Sequence, residues 1–241
     1  MNFTPMSKMP RLSREAVITE KIDGRNASVY IEQKALYAEQ DLPPIVAEVD
    51  GFAIAAGSRT RWITPEDDNY GFAAWVKANA EQLAKLGPGH HFGEWWGKGI
   101  NRNYGLDERR FSLFNTARWA PYQSGFAGDE CPPCCHIVPI LFRGDFTTDN
   151  VEMAKTLLYE GGSRAAPGFM DPEGVVVYHT AANMCFKKTI KGDEAGKSYE
   201  GHVKKPPREP RAKRPYDPNR TGRRKDCEGY RGPMRRSTDA V

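Results

Sequence analysis

The residues with the clearest chemical potential are Lys21, Asp23, Gly24 and Asn26, within the run Thr19-Glu20-Lys21-Ile22-Asp23-Gly24-Arg25-Asn26. A lysine on a tight, partly buried turn can shed its proton, because desolvation and neighbouring cations disfavour an ammonium. The neutral amine is then a nucleophile able to form a covalent intermediate. Ahead of it, Ala16-Val17-Ile18-Thr19 is apolar and β-branched and reads as a strand. Behind it, Ala27-Ser28-Val29-Tyr30-Ile31-Glu32 alternates and reads as a second strand. This places Lys21 in the turn between them, with Gly24 supplying backbone freedom. An Asp-Gly hairpin bearing a solvated lysine fits the same run.

The elements that must position this lysine follow in order. Pro44 to Val49 and Gly51 to Gly57 read as strands, leading into Ser58-Arg59-Thr60-Arg61, whose two arginines share one strand face at a spacing of two. Asp67-Asp68-Asn69 can cap a helix running from Tyr70 to Leu86, stopped by Gly87-Pro88-Gly89. Phe92-Gly93-Glu94-Trp95-Trp96-Gly97 puts a carboxylate among aromatics, where burial is costly without a partner. The loop Lys98 to Gly105 is polar and glycine-rich and could contact phosphates. Arg110 to Asn115 carries Phe111 and Phe114, either of which fits a core position or a stacking surface. His136 to Phe142 reads as a buried strand. A second helix begins at Asp149, with Glu152 three residues on, and ends at Gly161-Gly162. Pro172-Glu173-Gly174-Val175-Val176-Val177-Tyr178 and Met184 to Ile190 read as the closing strands.

Taken together these segments resemble the covalent nucleotidyltransferases: ATP-dependent DNA ligases, RNA ligases and mRNA capping enzymes. Lys21-Ile22-Asp23-Gly24 resembles motif I (K-x-D-G), and Ser58 to Arg61 motif Ia. Phe92 to Gly97 resembles motif III, Phe114-Asn115 motif IIIa with Asn for its usual Asp, Glu173 to Val177 motif IV, and Phe186-Lys187-Lys188 motif V. The resemblance implies a catalytic set of Lys21, Asp23, Glu173 and Lys187. It implies a nucleotide-binding set of Glu20, Lys21, Asn26, Arg59, Glu94, Phe114 and Lys187. Glu94 would reach the ribose, Phe114 would stack on adenine, Glu173 would handle the metal, and Lys187 would contact the α-phosphate. Neighbouring strand residues face opposite ways, so one of Lys187 and Lys188 faces the pocket, and Lys187 is the choice.

The fold class implied is α+β: the nucleotidyltransferase fold of the ATP-grasp-like ligases, two antiparallel sheets flanked by helices. DNA ligases and capping enzymes carry Arg five residues after the lysine; here that position is Asn26, as in RNA ligases of the second type. An OB-fold domain of the kind that follows in DNA ligases needs roughly 80–100 residues of barrel strands, and none is expected in the Pro/Arg-rich sequence after Lys191. The implied activity is ATP-dependent RNA ligation through a lysyl-AMP intermediate, with ATP and Mg²⁺ (or Mn²⁺) as cofactors. The implied partner is RNA, as nicked duplex or broken ends, with DNA not excluded. The chain would act as a monomer. Two other readings are a DNA nick ligase without an OB domain and a binding protein for nucleic-acid ends with the same fold.

Composition bounds these readings. A hydrophobic fraction of 39% and aromatic fraction of 11% suit a globular protein. No apolar run approaches the roughly 20 residues of a membrane span, and Met1 to Glu15 lacks the apolar segment of a signal peptide. Five cysteines, an odd number, argue against a disulfide scaffold. A cytoplasmic setting is expected, with a phage origin left open. Cys131-Pro132-Pro133-Cys134-Cys135-His136 could start a zinc site, but Cys185 and Cys227 are isolated and offer no second ligand pair. Residues 202–241 hold 13 Lys+Arg against 5 Asp+Glu, a net of +8, while residues 1–201 hold 22 against 26, a net of −4. The expected organisation is a catalytic domain over 1–201 and a disordered basic tail over 202–241.

Overall fold

The computed structural model describes residues 14–34, 43–120 and 130–192, together with Met6, Met9, Arg11 and Leu12. The expected boundary at 201/202 and the basic tail lie outside the described residues. The fold is α+β, with two sheets and few helices.

The smaller sheet has four strands in the order β11-β10-β1-β9. They are β1 (Glu15–Lys21), β9 (Ile140–Asp145), β10 (Gly174–His179) and β11 (Met184–Thr189), all antiparallel. Side-chain alternation splits it into two faces. Ala16, Ile18, Val175 and Val177 form one face, buried against Val151, Ala154 and Leu158 of the helix α4 (Thr148–Gly161). Burying a side chain of Val or Leu size contributes about 1.5–3 kcal/mol, so this contact anchors the sheet. The α4 cap lies at Thr147, not Asp149: Thr147 is extended and its hydroxyl accepts a bond from Asn150 N at 3.1 Å. Asp149 lies within the first turn, where its charge suits the helix dipole. Gly162, with φ of 74°, ends the helix as expected.

The larger sheet has seven strands. Its main path is β3 (Ile45–Val49), β4 (Phe52–Ser58), β2 (Arg25–Gln33), β6 (Gly89–Gly97), β7 (Arg109–Leu113) and β8 (Cys135–Ile137); β5 (Trp62–Ile63) pairs with β4. The pairs are antiparallel except β7 with β8, which is parallel. Ala27, Val29 and Ile31 of β2, Ile54 of β4 and Trp95 of β6 share the core face with Phe72, Val76 and Leu83. The helix expected from Tyr70 to Leu86 is broken. It forms α1 (Phe72–Ala78), α2 (Ala80–Leu83) and a 3-10 turn (Ala84–Leu86), interrupted at Asn79 with φ of −110°. Asp68 does accept from Ala73 N and Ala74 N, at 2.8 and 3.0 Å. A short α3 (Thr116–Trp119) follows β7.

Two strand expectations change. His136 to Phe142 is not one strand but two, because β8 joins the large sheet and β9 the small one. Pro139 sits at the switch; it has no N–H for a ladder, and its carbonyl accepts from Glu20 N at 2.9 Å. Likewise β1 and β2 are no hairpin. They belong to different sheets, and Ile22 to Gly24 carry the chain across. No helix among the described residues is long and apolar enough to cross a membrane.

Candidate active site

Lys21 is the last residue of β1 and lies opposite Gly174 of β10. Glu173, one residue before that strand, therefore comes beside it. Lys21 Nζ donates to Glu173 Oε2 at 2.6 Å, with both side chains about four-fifths covered (24% and 19% exposed). The register also settles the faces. Thr19, Val176 and Lys187 lie opposite one another across β1, β10 and β11, so Lys187 shares the face of Thr19 and Lys21. Lys188 shares the α4 face with Val175 and pairs with Glu152. Lys191 pairs with Asp171 at 2.7 Å. Lys187 is exposed and makes no ion pair among the described residues.

Glu20 does not join them. It alternates to the α4 face and is 1% exposed. Its carboxylate accepts from Ser163 Oγ at 2.6 Å, Arg164 N at 2.7 Å and Ala165 N at 2.9 Å. Both oxygens thus hold the turn after α4.

The turn after Lys21 is held from the large sheet. Gly24 N donates to Glu94 Oε1 at 3.0 Å. Asn26 lies opposite Glu94 on the face that points away from the α1 core. Gly24 is needed here for space and not, as its sequence context suggests, for unusual backbone angles. A Cβ there would come within 2.5 Å of Trp95 O and 2.8 Å of Trp96 Cβ. Burial raises Glu94 to about 7, with Glu173 and Asp23 adding to the rise and Lys21 and the Gly24 N–H opposing it. Lys21, Glu173, Asp23 and Glu94 therefore form one electrostatic group.

Asp23 turns toward the loop between β6 and β7. Its oxygens accept from Asn101 Nδ2 at 2.7 Å and Arg102 Nε at 3.0 Å, and its N–H donates to the Tyr104 hydroxyl at 2.8 Å. Arg102 also reaches Asp171 at 2.8 Å. The Lys98 to Gly105 loop is thus a clamp on the 22–24 turn, where the sequence suggested phosphate contacts. Asn101, Asn103 and Tyr104 have positive φ, a conformation that Asn tolerates better than most residues. Those asparagines were the available sequence signal for a built loop.

The remaining candidates divide. Phe114 is 39% exposed just past β7, and its N–H donates to Phe92 O at 3.0 Å. Phe111 is fully buried in the core. Asn115, standing where the motif has Asp, caps α3 by accepting from Arg118 N at 3.1 Å. Arg59 and Arg61 are not on a strand. Ser58 to Arg61 is a turn, closed by Ser58 N to Arg61 O at 2.8 Å. Arg61 is taken by Asp67, and Arg59 is exposed and pairs with no described residue.

No group of three His, Cys, Asp or Glu able to hold a metal occurs among the described residues. Cys135 lies buried in β8 and Cys134 Sγ approaches its Sγ at 3.9 Å. Burial pushes the Cys131 thiol up to about 11, and Cys131 and Cys134 pack on the main core.

A lysine bonded to a carboxylate across paired strands, with a second carboxylate on the facing sheet, agrees with what the sequence comparisons find. The RNA ligase family profile matches residues 14–216. The chain belongs to the RNA ligase family. No curated protein matches it. Among solved structures, a glutamate-to-alanine variant of Naegleria gruberi RNA ligase with ATP and Mn is 19% identical, with a TM-score of 0.46 over 74% of this chain and 50% of that one. A lysine-to-alanine variant of the same ligase with ATP and Mn is 18% identical, with a TM-score of 0.41 over 73% and 49%. The chain thus spans about half the length of these RNA ligase chains.

Proposed function

We propose that the protein adopts the nucleotidyltransferase fold and acts as an ATP-dependent RNA ligase, sealing a 3′-OH to a 5′-phosphate through AMP carried on Lys21. The observation that carries this is the 2.6 Å bond between Lys21 Nζ and Glu173 Oε2, made in a chain of the RNA ligase family. Lys21 as the neutral amine forms an N–P bond to the α-phosphorus of ATP. The P–O bond to the β-phosphate breaks, and pyrophosphate leaves with the bonding pair. Glu173 Oε2 is the nearest acceptor for the amine proton. Lys187, on the Lys21 face, neutralises the α-phosphate.

The adenosine lies against the large sheet in this reading. Phe114 stacks on the base, worth about 1–3 kcal/mol, while Glu94 and Asn26 take the ribose side. Asp23 acts through position: clamped by Asn101 and Arg102, it fixes the turn that presents Lys21. The carboxylate of Glu173 fits a hard divalent cation such as Mg²⁺ or Mn²⁺, which takes oxygen ligands and keeps waters and phosphates as the rest of its shell. Such a cation would neutralise charge on the triphosphate oxygens. AMP then passes from Lys21 to the 5′-phosphate, and attack of the 3′-OH releases it.

RNA as the substrate is supported by family membership and by Asn26 five residues after Lys21. A protein can sense the 2′-OH at a given position. The test is sealing of matched nicks with ATP and Mg²⁺, differing only in the sugar on the 3′-OH side. The RNA nick should seal faster; equal or faster sealing of the all-DNA nick moves the protein to DNA repair.

A further inference from the structure

The face of the large sheet that carries Glu94 and Asn26 also carries a row of rings that the chemistry above does not use. Trp62 stacks on His90 with centroids 5.5 Å apart and planes 24° apart, and His90 lies 4.1 Å from Phe92. Trp62 is 37% exposed and Phe92 48%, and His90 is exposed between them. The register explains the row. Trp62 lies opposite Gly57, Gly57 opposite Ser28, and Ser28 opposite Phe92, so one line of residues crosses β5, β4, β2 and β6. Adjacent strands lie about 4.8 Å apart, so the line is about 14 Å long. Gly57 keeps it flat, since a Cβ there would come within 2.5 Å of Ser28 Oγ and 3.4 Å of the Trp62 ring.

His90 is fixed by a 2.9 Å bond between Nε2 and Ser28 Oγ. Partial cover of the ring lowers its pKa from the ordinary imidazole value, which favours the flat uncharged form. One end of the row, at Phe92, adjoins Phe114 and Glu94. The other end, at Trp62, follows directly on the turn bearing Arg59, a cation with no described partner.

We infer that this row is a stacking platform for the unpaired bases at the end of an RNA strand, leading from the nucleotide site toward Arg59. The inference rests on the RNA ligase reading for the identity of the strand. Aromatic rings on an open sheet face take two or three bases in other RNA-binding folds, and every base has a face to stack, so the platform is tolerant of sequence. Arg59 sits where a backbone phosphate of that strand would pass, which gives the row a charge partner as well as a shape.

The test uses the full chain and a fluorescent 5′-phosphorylated single-stranded RNA. W62A should weaken binding by about 5- to 150-fold, the loss expected for one stacked base. W62F should restore most of it. The slope of log affinity against log salt should stay the same, because no phosphate contact is removed. Abasic residues at the RNA end test the claim on the unaltered protein: they should weaken wild-type binding and leave W62A binding little changed. Wild-type affinity in W62A, or equal wild-type affinity for abasic and normal ends, overturns the platform. Transfer of AMP to Lys21 is read separately on the same wild-type protein. If it fails, the ligase reading falls; if it occurs while the rings prove silent, only the platform falls.

Discussion

The two sheets that meet at the 22–24 turn present very different faces. The small sheet offers charge: Lys21 and Lys187 with Glu173 beside them, on strands backed by α4. The large sheet offers shape: Phe92, His90, Trp62 and Phe114, with Glu94 as the carboxylate facing Lys21. On the proposed function, the difference keeps covalent catalysis and recognition apart. A nucleophile needs a rigid, dry backing, and β1 has one because its other face is sealed by Ile18, Val175 and Leu158. Recognition of a flexible strand needs open area, and the large sheet keeps one face uncovered by α1 and α2, which pack on the other.

Substitutions on the two faces should therefore have different signatures. Glu173→Ala, on the charge side, should fold and yet slow AMP transfer to the enzyme by about 10²–10³, the cost of removing one charge-handling group from such a site. An intact-mass time course reads it. A loss of fold in place of rate would place Glu173 in the framework. Gly24→Ala strikes the seam between the sheets. Its methyl group collides with Trp95 O and Trp96, so a cost of about 1–3 kcal/mol in urea unfolding is expected, together with slower AMP transfer. Wild-type stability would show that the seam yields more readily than its packing indicates.

Glu94 sharpens the contrast through pH. Its carboxyl is raised from 4.5 to about 7, chiefly by burial. Between those values the folded protein keeps a proton that the unfolded chain has lost. Stability from this group is therefore greatest below pH 4.5, falls as pH rises toward 7, and levels off above it. The wild type should lose up to about 3 kcal/mol more than Glu94→Gln across that window. Parallel pH profiles for the two proteins would contradict the burial that raises this carboxyl. The smallest effect separates two neighbours. Lys188→Ala breaks a partly exposed pair with Glu152 and should change stability little while AMP transfer continues. Lys187→Ala should leave stability alone and slow AMP transfer. The reverse pattern would mean that the register assigns the wrong lysine.

Much of this division was legible in the sequence. Strand parity allowed only one of Lys187 and Lys188 on the Lys21 face, and the register places Lys187, the residue chosen, there. The α4 helix was visible from its polar start and its glycine stop, although the cap proved to be Thr147. What was hidden depended on distant partners. Glu20 stands beside Lys21 in the chain, but Ser163, 143 residues away, claims its carboxylate. The 98–105 loop looked like a phosphate contact because Gly and Asn are common to both uses, and only the fold brings Asp23 to Asn101 and Arg102. The arginine pair failed for a local reason: the Ser58 hydroxyl accepts from Arg61 N at 3.3 Å and makes a turn where alternation suggested a strand. The β8/β9 division had a signal in Pro139, since proline interrupts a ladder.

The most direct measurement of the central claim is the intact mass of the protein after incubation with ATP and Mg²⁺, followed by peptide mapping. The wild type should gain one AMP, carried on the peptide containing Lys21, and release it when pyrophosphate is added back. Lys21→Ala should gain none. An AMP adduct that persists in Lys21→Ala, or that maps to another lysine, would contradict the account.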